Sequence, residues 1–142
     1  MIAVDTNILI YAHRRELDRH KVALERLREL AEGQTPWDIP VFTIREFIKV
    51  ATHPRCFTPP STLSEAHADL NAILASPSVC VLRPGELFPE IYQARSLEAK
   101  AEGQLAFDAA IVAVCLENGV REILTEDRDF ARFKEITVHR LE

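Results

Sequence analysis

Four acidic residues stand far apart in the chain, at positions from which a folded protein could bring their carboxylates together. They are Asp5, Glu46, Asp108 and Asp127. Carboxylates a few ångströms apart repel one another, and hard divalent cations with a preference for oxygen ligands relieve that repulsion. Two such ions about 3.5–4 Å apart can activate water and stabilise the leaving oxygen of a phosphodiester. The four acids therefore predict a metal-dependent hydrolytic site, provided that the fold makes them converge.

The first of these acids interrupts an apolar segment near the start of the chain. Residues 2–4 and 8–12 are apolar, and Asp5, Thr6 and Asn7 lie between them. A short apolar run without polar alternation is typical of a parallel strand that is buried on both faces. Thr6 or Asn7 can cap a helix that leaves the strand directly, and Asp5 then lies at the strand's carboxyl end, where α/β sheets bind ligands. In the simpler alternative, Asp5 only assists the cap.

The two acids in predicted helices also have structural alternatives. Thr43 and Glu46 have the spacing of a capping box, in which Glu46 would serve only the start of the helix. Asp108 shares a helix face with apolar residues three, four and seven positions after it, which places a carboxylate on the core-facing stripe. A buried carboxylate without a partner is costly, so Asp108 either has a partner or simply caps a helix that begins at the next residue.

The predicted elements alternate in the order of an α/β protein with a short, mainly parallel central sheet of four or five strands flanked by helices. The predicted strands cover residues 2–4, 37–42, 79–82, 123–125 and 136–138, the last at the sheet edge. Beyond the helix after the first strand, the predicted helices cover residues 18–32, 43–53, 64–75, 86–101 and 105–116. Strand carboxyl ends and the following helix N-termini share one edge of a parallel sheet, so the four acids can meet there.

Composition limits the class of protein. The 142 residues, of which 47% are hydrophobic and 27% charged, predict one soluble globular domain. No stretch approaches the ~20 apolar residues of a membrane span, and the N-terminus lacks the features of a signal peptide. Three widely spaced cysteines predict reduced thiols and a cytoplasmic location, and the five histidines lack the spacing of a zinc site.

The charge distribution bears on nucleic-acid binding. A net charge of −5 argues against binding through a uniformly basic surface. It is compatible with a local basic rim around an acidic pocket that holds metal. Candidates for such a rim cluster before and within the second predicted helix: Arg14, Arg15, Arg19 and Lys21.

The motifs together resemble those of PIN-domain ribonucleases, and the likeness is closest to VapC-type toxins of bacterial and archaeal toxin–antitoxin pairs. The matching segments, in an order and spacing that span the chain, are residues 4–7, Glu46, residues 108–111 and residues 125–130. The resemblance implies one PIN domain over residues 1–142 and a Mg²⁺- or Mn²⁺-dependent endoribonuclease. It further implies the toxin of a type II toxin–antitoxin system, usually dimeric and held inactive by a cognate antitoxin.

The resemblance also implies roles for individual residues. It makes four acids the catalytic and metal-binding groups: Asp5, Glu46, Asp108 and Asp127. It makes three nearby polar residues the groups that orient those acids: Thr6, Asn7 and Thr125. Asp129 stays ambiguous, because it either shares or replaces the role of Asp127 or caps the turn at Phe130.

Two other classes of protein compete with this prediction. A phosphatase of the haloacid-dehalogenase type also begins with an Asp after an apolar strand, but it needs a second acid two residues later, and position 7 is Asn. A non-catalytic binding protein with the same fold would be expected to have lost at least one acid, and all four are present. We therefore predict an endoribonuclease that hydrolyses RNA, pairs with an antitoxin, forms a homodimer and does not bind membranes.

Overall fold

Short parallel strands of mostly apolar residues form the centre of the molecule. The structure, a computed structural model, describes residues 1–142. The strands are β1 (Ala3–Val4), β2 (Trp37–Pro40), β3 (Val79–Leu82), β4 (Glu122–Leu124) and β5 (Thr137–His139). They form one sheet in the order β3-β2-β1-β4-β5, and every neighbouring pair is parallel. The α/β class and the parallel sheet predicted from the sequence are confirmed, with β1 at the centre.

Helices connect the strands. They are α1 (Thr6–His13), α2 (His20–Glu32), α3 (Val41–Ala51), α4 (Leu63–Leu74), α5 (Phe88–Ala99), α6 (Leu105–Glu117) and a 3₁₀ helix at Arg128–Arg132. None of these helices combines the length and the apolar character that crossing a membrane requires.

Alternation along the strands divides the core between the two faces of the sheet. Val4, Ile39 and Leu124 pack with residues of α1 to α4 on one face. Ala3 and Ile123 point to the other face, where α6 supplies most of the packing. The buried residues of α6 run continuously from Ile111 to Cys115, because this helix is covered on nearly all sides.

The start of α3 differs from the prediction. The helix begins at Val41, directly after β2, because Pro40 has no N–H with which to continue the strand's ladder. The Thr43 hydroxyl donates a hydrogen bond to the Pro40 carbonyl at 2.7 Å and does not cap the helix. Glu46 consequently lies in the second turn, and the predicted capping box of Thr43 and Glu46 is wrong. A capping box does start α4, between Thr62 and Glu65.

The start of α6 rules out one alternative for Asp108. The helix begins at Leu105, three residues before Asp108, so Asp108 lies in the first turn, as predicted, and is not the cap. Gly119, with φ of +75°, follows the helix end in the left-handed conformation that favours glycine.

Candidate active site

The predicted acids meet at the carboxyl edge of the two central strands. Asp5 follows β1 and Asp127 lies three residues after β4, and these strands pair in parallel. The first turn of α6 contributes Asp108, and the second turn of α3 contributes Glu46. The charges of Glu46 and Asp127 both act on Asp5 and on Asp108, so the four acids lie in one electrostatic neighbourhood.

Three carboxylates form the tightest part of this cluster. Asp108, Asp127 and Asp129 each place one carboxylate oxygen within 4.8 Å of the others. Asp127 and Asp129, the two candidates for the fourth acid, therefore both lie close to Asp108. Asp127 also caps the 3₁₀ helix, because its Oδ1 accepts a hydrogen bond from the Asp129 N–H at 2.9 Å. Asp5 and Glu46 lie outside this trio.

Asp5 is held by hydrogen bonds to both carboxylate oxygens. The Thr6 N–H donates to Oδ1 at 2.7 Å, which makes Asp5, rather than Thr6 or Asn7, the N-cap of α1. The Thr125 hydroxyl donates to Oδ2 at 2.7 Å, and the Asn7 amide donates to the same oxygen at 3.3 Å. Capping and membership of the acid cluster are thus compatible roles of one carboxylate, which is only 5% exposed.

Asn7 and Thr125 connect the acids of β1 and β4. Besides donating to Asp5, the Thr125 hydroxyl accepts hydrogen bonds from the Asn7 amide at 3.1 Å and from the Asp127 N–H at 3.0 Å. The Asn7 carbonyl oxygen accepts from the Glu126 N–H at 3.4 Å. The Thr125 oxygen therefore uses its donor and both lone pairs, which fixes Asp5 relative to the loop that carries Asp127.

Thr6 contributes differently from Asn7 and Thr125. Only its backbone N–H contacts Asp5, and its buried hydroxyl has no hydrogen-bond partner.

Sequence reasoning missed Glu126, which anchors the loop before Asp127. Its Oε1 accepts hydrogen bonds from Arg19 at 2.7 Å and from the Leu141 N–H at 2.9 Å. Its backbone carbonyl accepts from Arg140 at 2.6 Å. In the sequence, Glu126 belongs to a run of charged residues that is typical of a solvated loop, and no local signal identifies its distant partners.

Burial and mutual repulsion raise the pKa values of two acids. The pKa of Asp5 rises from 3.8 to about 6, chiefly through burial, with contributions from Glu46 and Asp127 and against the lowering effect of its hydrogen bonds. The pKa of Asp108 rises from 3.8 to about 7, again chiefly through burial, and further through the charges of Asp127, Asp5, Asp129 and Glu46.

The donor chemistry of the cluster fits a divalent cation. None of its five carboxylates forms an ion pair with a lysine or an arginine: Asp5, Glu46, Asp108, Asp127 and Asp129. Hard cations such as Mg²⁺ and Mn²⁺ prefer such an all-oxygen set.

The structure uses part of the predicted basic rim for internal contacts. The Arg14 guanidinium lies 4.3 Å from the centre of the Phe57 ring and donates hydrogen bonds to neighbouring side chains and a carbonyl. Arg19 is paired with Glu126. Arg15 and Lys21 form no ion pair, and neither do Arg45 and Lys49, which are exposed on α3 beside Glu46.

The chain matches a known domain family and is similar in sequence to known proteins. The family model of the PIN domain matches residues 2–136. The VapC ribonuclease Mb2897 of Mycobacterium bovis is 36% identical over 136 residues, which are 96% of this chain and 92% of that protein.

Two solved structures have a similar fold. The toxin VapC20 of Mycobacterium tuberculosis, which cleaves the sarcin-ricin loop, has a TM-score of 0.67 at 22% identity, with 96% of this chain and 98% of that one covered. A toxin–antitoxin complex from Klebsiella pneumoniae has a TM-score of 0.60 at 20% identity, with 96% of each chain covered.

The burial of Asp108 and the repulsion within the cluster predict how pH affects the stability of the metal-free protein. Folding raises the pKa of Asp108, so the fold favours the protonated form of this side chain. The contribution of Asp108 to the stability of the fold is therefore complete below pH 4 and is lost as the pH rises through about 7. Asp108→Asn removes that charge, so in EDTA at pH 8 we expect the variant to melt about 3–6 °C above the wild type. This corresponds to about 1.4 kcal/mol, less than the full rise of the pKa would give, because solvent screens the half-buried Asp108 carboxyl. The difference should shrink towards pH 4. Thermal melts across this pH range measure it.

The matched control is Asp18→Asn, the same substitution at an exposed aspartate outside the cluster. It should follow the wild type at every pH. Parallel melting curves for the wild type and Asp108→Asn would show that neither burial nor the neighbouring acids disfavour the charged form of Asp108 in the folded protein.

The anchoring of the loop by Glu126 predicts an effect on metal binding. In Glu126→Ala, Arg19 and the Leu141 N–H lose the carboxylate oxygen that they share, while Arg140 keeps its hydrogen bond to the backbone carbonyl, so the loop that carries Asp127 is less fixed. Losing a residue that orients metal ligands weakens metal binding by about 10- to 100-fold. We expect the Kd for Mn²⁺, measured by calorimetry, to rise by about tenfold.

Glu29→Ala removes an exposed glutamate that is paired with Arg26 and serves as the control. A lower Tm for Glu126→Ala with an unchanged Mn²⁺ affinity would contradict the positioning role.

Proposed function

This chain belongs to the PIN domain family, whose model spans residues 2–136, and we propose that it is the toxin endoribonuclease of a type II toxin–antitoxin pair. Its relative from Mycobacterium bovis is a VapC ribonuclease. The observation that carries the proposal is the cluster of five carboxylates without a protein cation at the carboxyl edge of the sheet. The reaction is hydrolysis of an RNA phosphodiester bond at this cluster.

The metal-holding and catalytic residues in this proposal are the four acids named from the sequence: Asp5, Glu46, Asp108 and Asp127. Asp129 adds a carboxylate beside Asp108 and Asp127. Bound Mg²⁺ or Mn²⁺ would neutralise these charges and supply a water of lowered pKa together with stabilisation of the leaving oxygen.

The residues around the acids orient the carboxylates and influence whether they are charged. Hydrogen bonds from the Thr6 N–H, the Thr125 hydroxyl and the Asn7 amide favour the charged form of Asp5 and fix its orientation. Because burial and the neighbouring acids raise the pKa of Asp108 to about 7, its metal-free side chain holds a proton far more readily than an ordinary aspartate does. That proton leaves when a cation binds, so metal affinity should rise between pH 5 and pH 8.

Asn7 disfavours the phosphatase alternative. Its amide donates to Asp5 and to Thr125. An amide in these contacts orients its neighbours but cannot exchange a proton with substrate, as the second acid of such a phosphatase must. A non-catalytic role is less well supported, because every acid is present and the residues around Asp5 hold its carboxylate in place.

The proposal also covers the binding partners of the protein and its location in the cell. The partners are RNA as substrate, a cognate antitoxin protein and a second copy of the chain in a homodimer, in the cytoplasm. The structure of similar fold from Klebsiella pneumoniae is itself a toxin–antitoxin complex, which supports the antitoxin partner.

The reaction predicts the chemistry of the products. Attack by water rather than by the ribose 2′-OH leaves a 5′-phosphate and a 3′-hydroxyl. We expect cleavage of single-stranded or looped RNA to require Mg²⁺ or Mn²⁺ and to be abolished in Asp108→Asn, while Asp18→Asn keeps it. End-labelling and mass spectrometry of the products identify the termini. Cyclic phosphate products, or full activity in excess EDTA, would contradict the proposal.

The proposed antitoxin partner should inhibit RNA cleavage by this chain. An antitoxin that fills the crevice, for example with an arginine against the acids, would both neutralise them and exclude RNA. We expect the protein encoded by the neighbouring reading frame to co-purify with this chain and to stop RNA cleavage. A chain that stays monomeric, captures no partner and is harmless when expressed would favour the non-catalytic alternative.

A further inference from the structure

Two arginines meet on Glu126, the residue immediately before Asp127. Arg19 lies just before α2, and Arg140 directly follows β5, at the same carboxyl edge of the sheet as the acids. The Arg19 Nη2 atom is 2.7 Å from the Glu126 Oε1 atom. The Arg140 Nη1 atom is 2.6 Å from the Glu126 carbonyl oxygen and 3.6 Å from the Oε2 atom. We call Arg19 and Arg140 the arginine pair.

The arginine pair has donors and charge that Glu126 does not use. Each guanidinium has five N–H groups and donates one of them, in both cases to Glu126. The single carboxylate of Glu126 offsets only one of the two positive charges. Both arginine side chains are 37% exposed, so a ligand from solution can reach the remaining N–H groups. The pair therefore offers one net positive charge and several free donors to an anion.

Glu126 fixes the arginine pair relative to the acid cluster. The Glu126 N–H donates to the Asn7 carbonyl oxygen, and the Asn7 amide donates to Asp5. Glu126 and Asp127 are consecutive, so the pair and the cluster lie side by side at one edge of the sheet. An anion bound to the pair would therefore lie next to the acid cluster and not within it.

An RNA strand places such an anion beside the acids. When the scissile phosphate lies at the acid cluster, the two phosphates that flank it are covalently held nearby. The acids repel those phosphates, and a protein with a net charge of −5 offers them no general attraction. Guanidinium groups bind phosphate oxygens through two parallel N–H···O hydrogen bonds. A flanking phosphate therefore matches both the position and the chemistry of the arginine pair.

We propose that the arginine pair binds one phosphate that flanks the scissile phosphate of the RNA substrate. This inference rests on the proposed ribonuclease function. Because Glu126 already orders both long side chains, little side-chain entropy is lost when the phosphate binds. The pair does not touch the reacting atoms, so it positions the strand and contributes to substrate binding rather than to the chemical step.

The first test removes each positive charge of the pair. Arg19→Gln and Arg140→Gln keep an amide that can donate to Glu126 but lose the charge. Each should raise KM for a cleaved oligonucleotide by about tenfold, through the loss of charged hydrogen bonds, and leave kcat unchanged. In EDTA, fluorescence anisotropy should give a slope of log affinity against log salt that is shallower by about 0.7. Arg19→Lys should restore the wild-type slope, because lysine keeps the charge.

The second test identifies the phosphate by changing the substrate. An uncharged methylphosphonate replaces each phosphate that flanks the cleaved bond, one at a time. One position should weaken binding to the wild type by about tenfold and cause little further loss in Arg140→Gln. Arg26→Gln is the matched control, because Arg26 is an arginine of α2 that is 34% exposed and paired with Glu29. It should behave like the wild type with every oligonucleotide.

The outcomes separate this inference from the proposed function. If the wild type cleaves no RNA, the proposed function fails and the inference fails with it. If the wild type cleaves RNA and the variants of the pair match Arg26→Gln, only the phosphate assignment is overturned. It is also overturned if those variants lose Mn²⁺ affinity, as expected for Glu126→Ala, with an unchanged salt slope, since the pair then only anchors the loop.

A further contrary result would assign the arginine pair to the antitoxin. The variants of the pair would then cleave RNA normally but escape inhibition by the protein from the neighbouring reading frame, and the phosphate assignment would be wrong.

Discussion

Repulsion among carboxylates is the constraint on which the arrangement of this protein depends. Five acids lie in one neighbourhood without a lysine or arginine partner, and burial raises the pKa of Asp5 to about 6 and of Asp108 to about 7. Left to themselves, such groups would separate or stay protonated. The fold prevents separation by fixing them on adjacent strand ends and on two helices. The same arrangement that is unfavourable without metal is favourable with it, so metal binding should stabilise the fold.

The hydrogen-bond network between β1 and β4 shows how the acids are kept in place. Thr125 bridges Asp5 and the Asp127 backbone, and Asn7 contacts both sides of this bridge. Glu126 then connects the loop to Arg19, just before α2, and to the C-terminal segment. The contacts of Thr125 with Asp5 and of Glu126 with Arg19 join residues that are distant in sequence. The position of Asp127 therefore depends on the closure of the whole sheet and not on its local turn alone.

The sequence predicted those features that follow from local patterns. Apolar runs of strand length predicted the sheet, and acids just after those runs predicted Asp5 and Asp127 at its carboxyl edge. The helix starts were less predictable. Thr43 and Glu46 have capping-box spacing, but Pro40 ends β2 and α3 begins at once, so the local motif is overridden by the strand before it.

Long-range contacts lay beyond what the sequence could predict. The partners of Glu126 are Arg19, just before α2, and residues of the C-terminal segment, and no pattern within the chain pairs them. Asp38 gives a second example, because it lies in the strand predicted over residues 37–42, yet its side chain is only 1% exposed and its Oδ2 has no hydrogen-bond partner. Burial raises the pKa of Asp38 and favours its neutral form, which lowers the cost of keeping it in the sheet.

The acid cluster depends on helices as well as on strand ends. Asp108 lies in the first turn of α6, and Glu46 lies in the second turn of α3. Because both helices pack against the sheet, the distances between these two acids and Asp5 are set by the core rather than by a mobile loop. Such rigid placement is what positioning a phosphodiester for in-line attack requires.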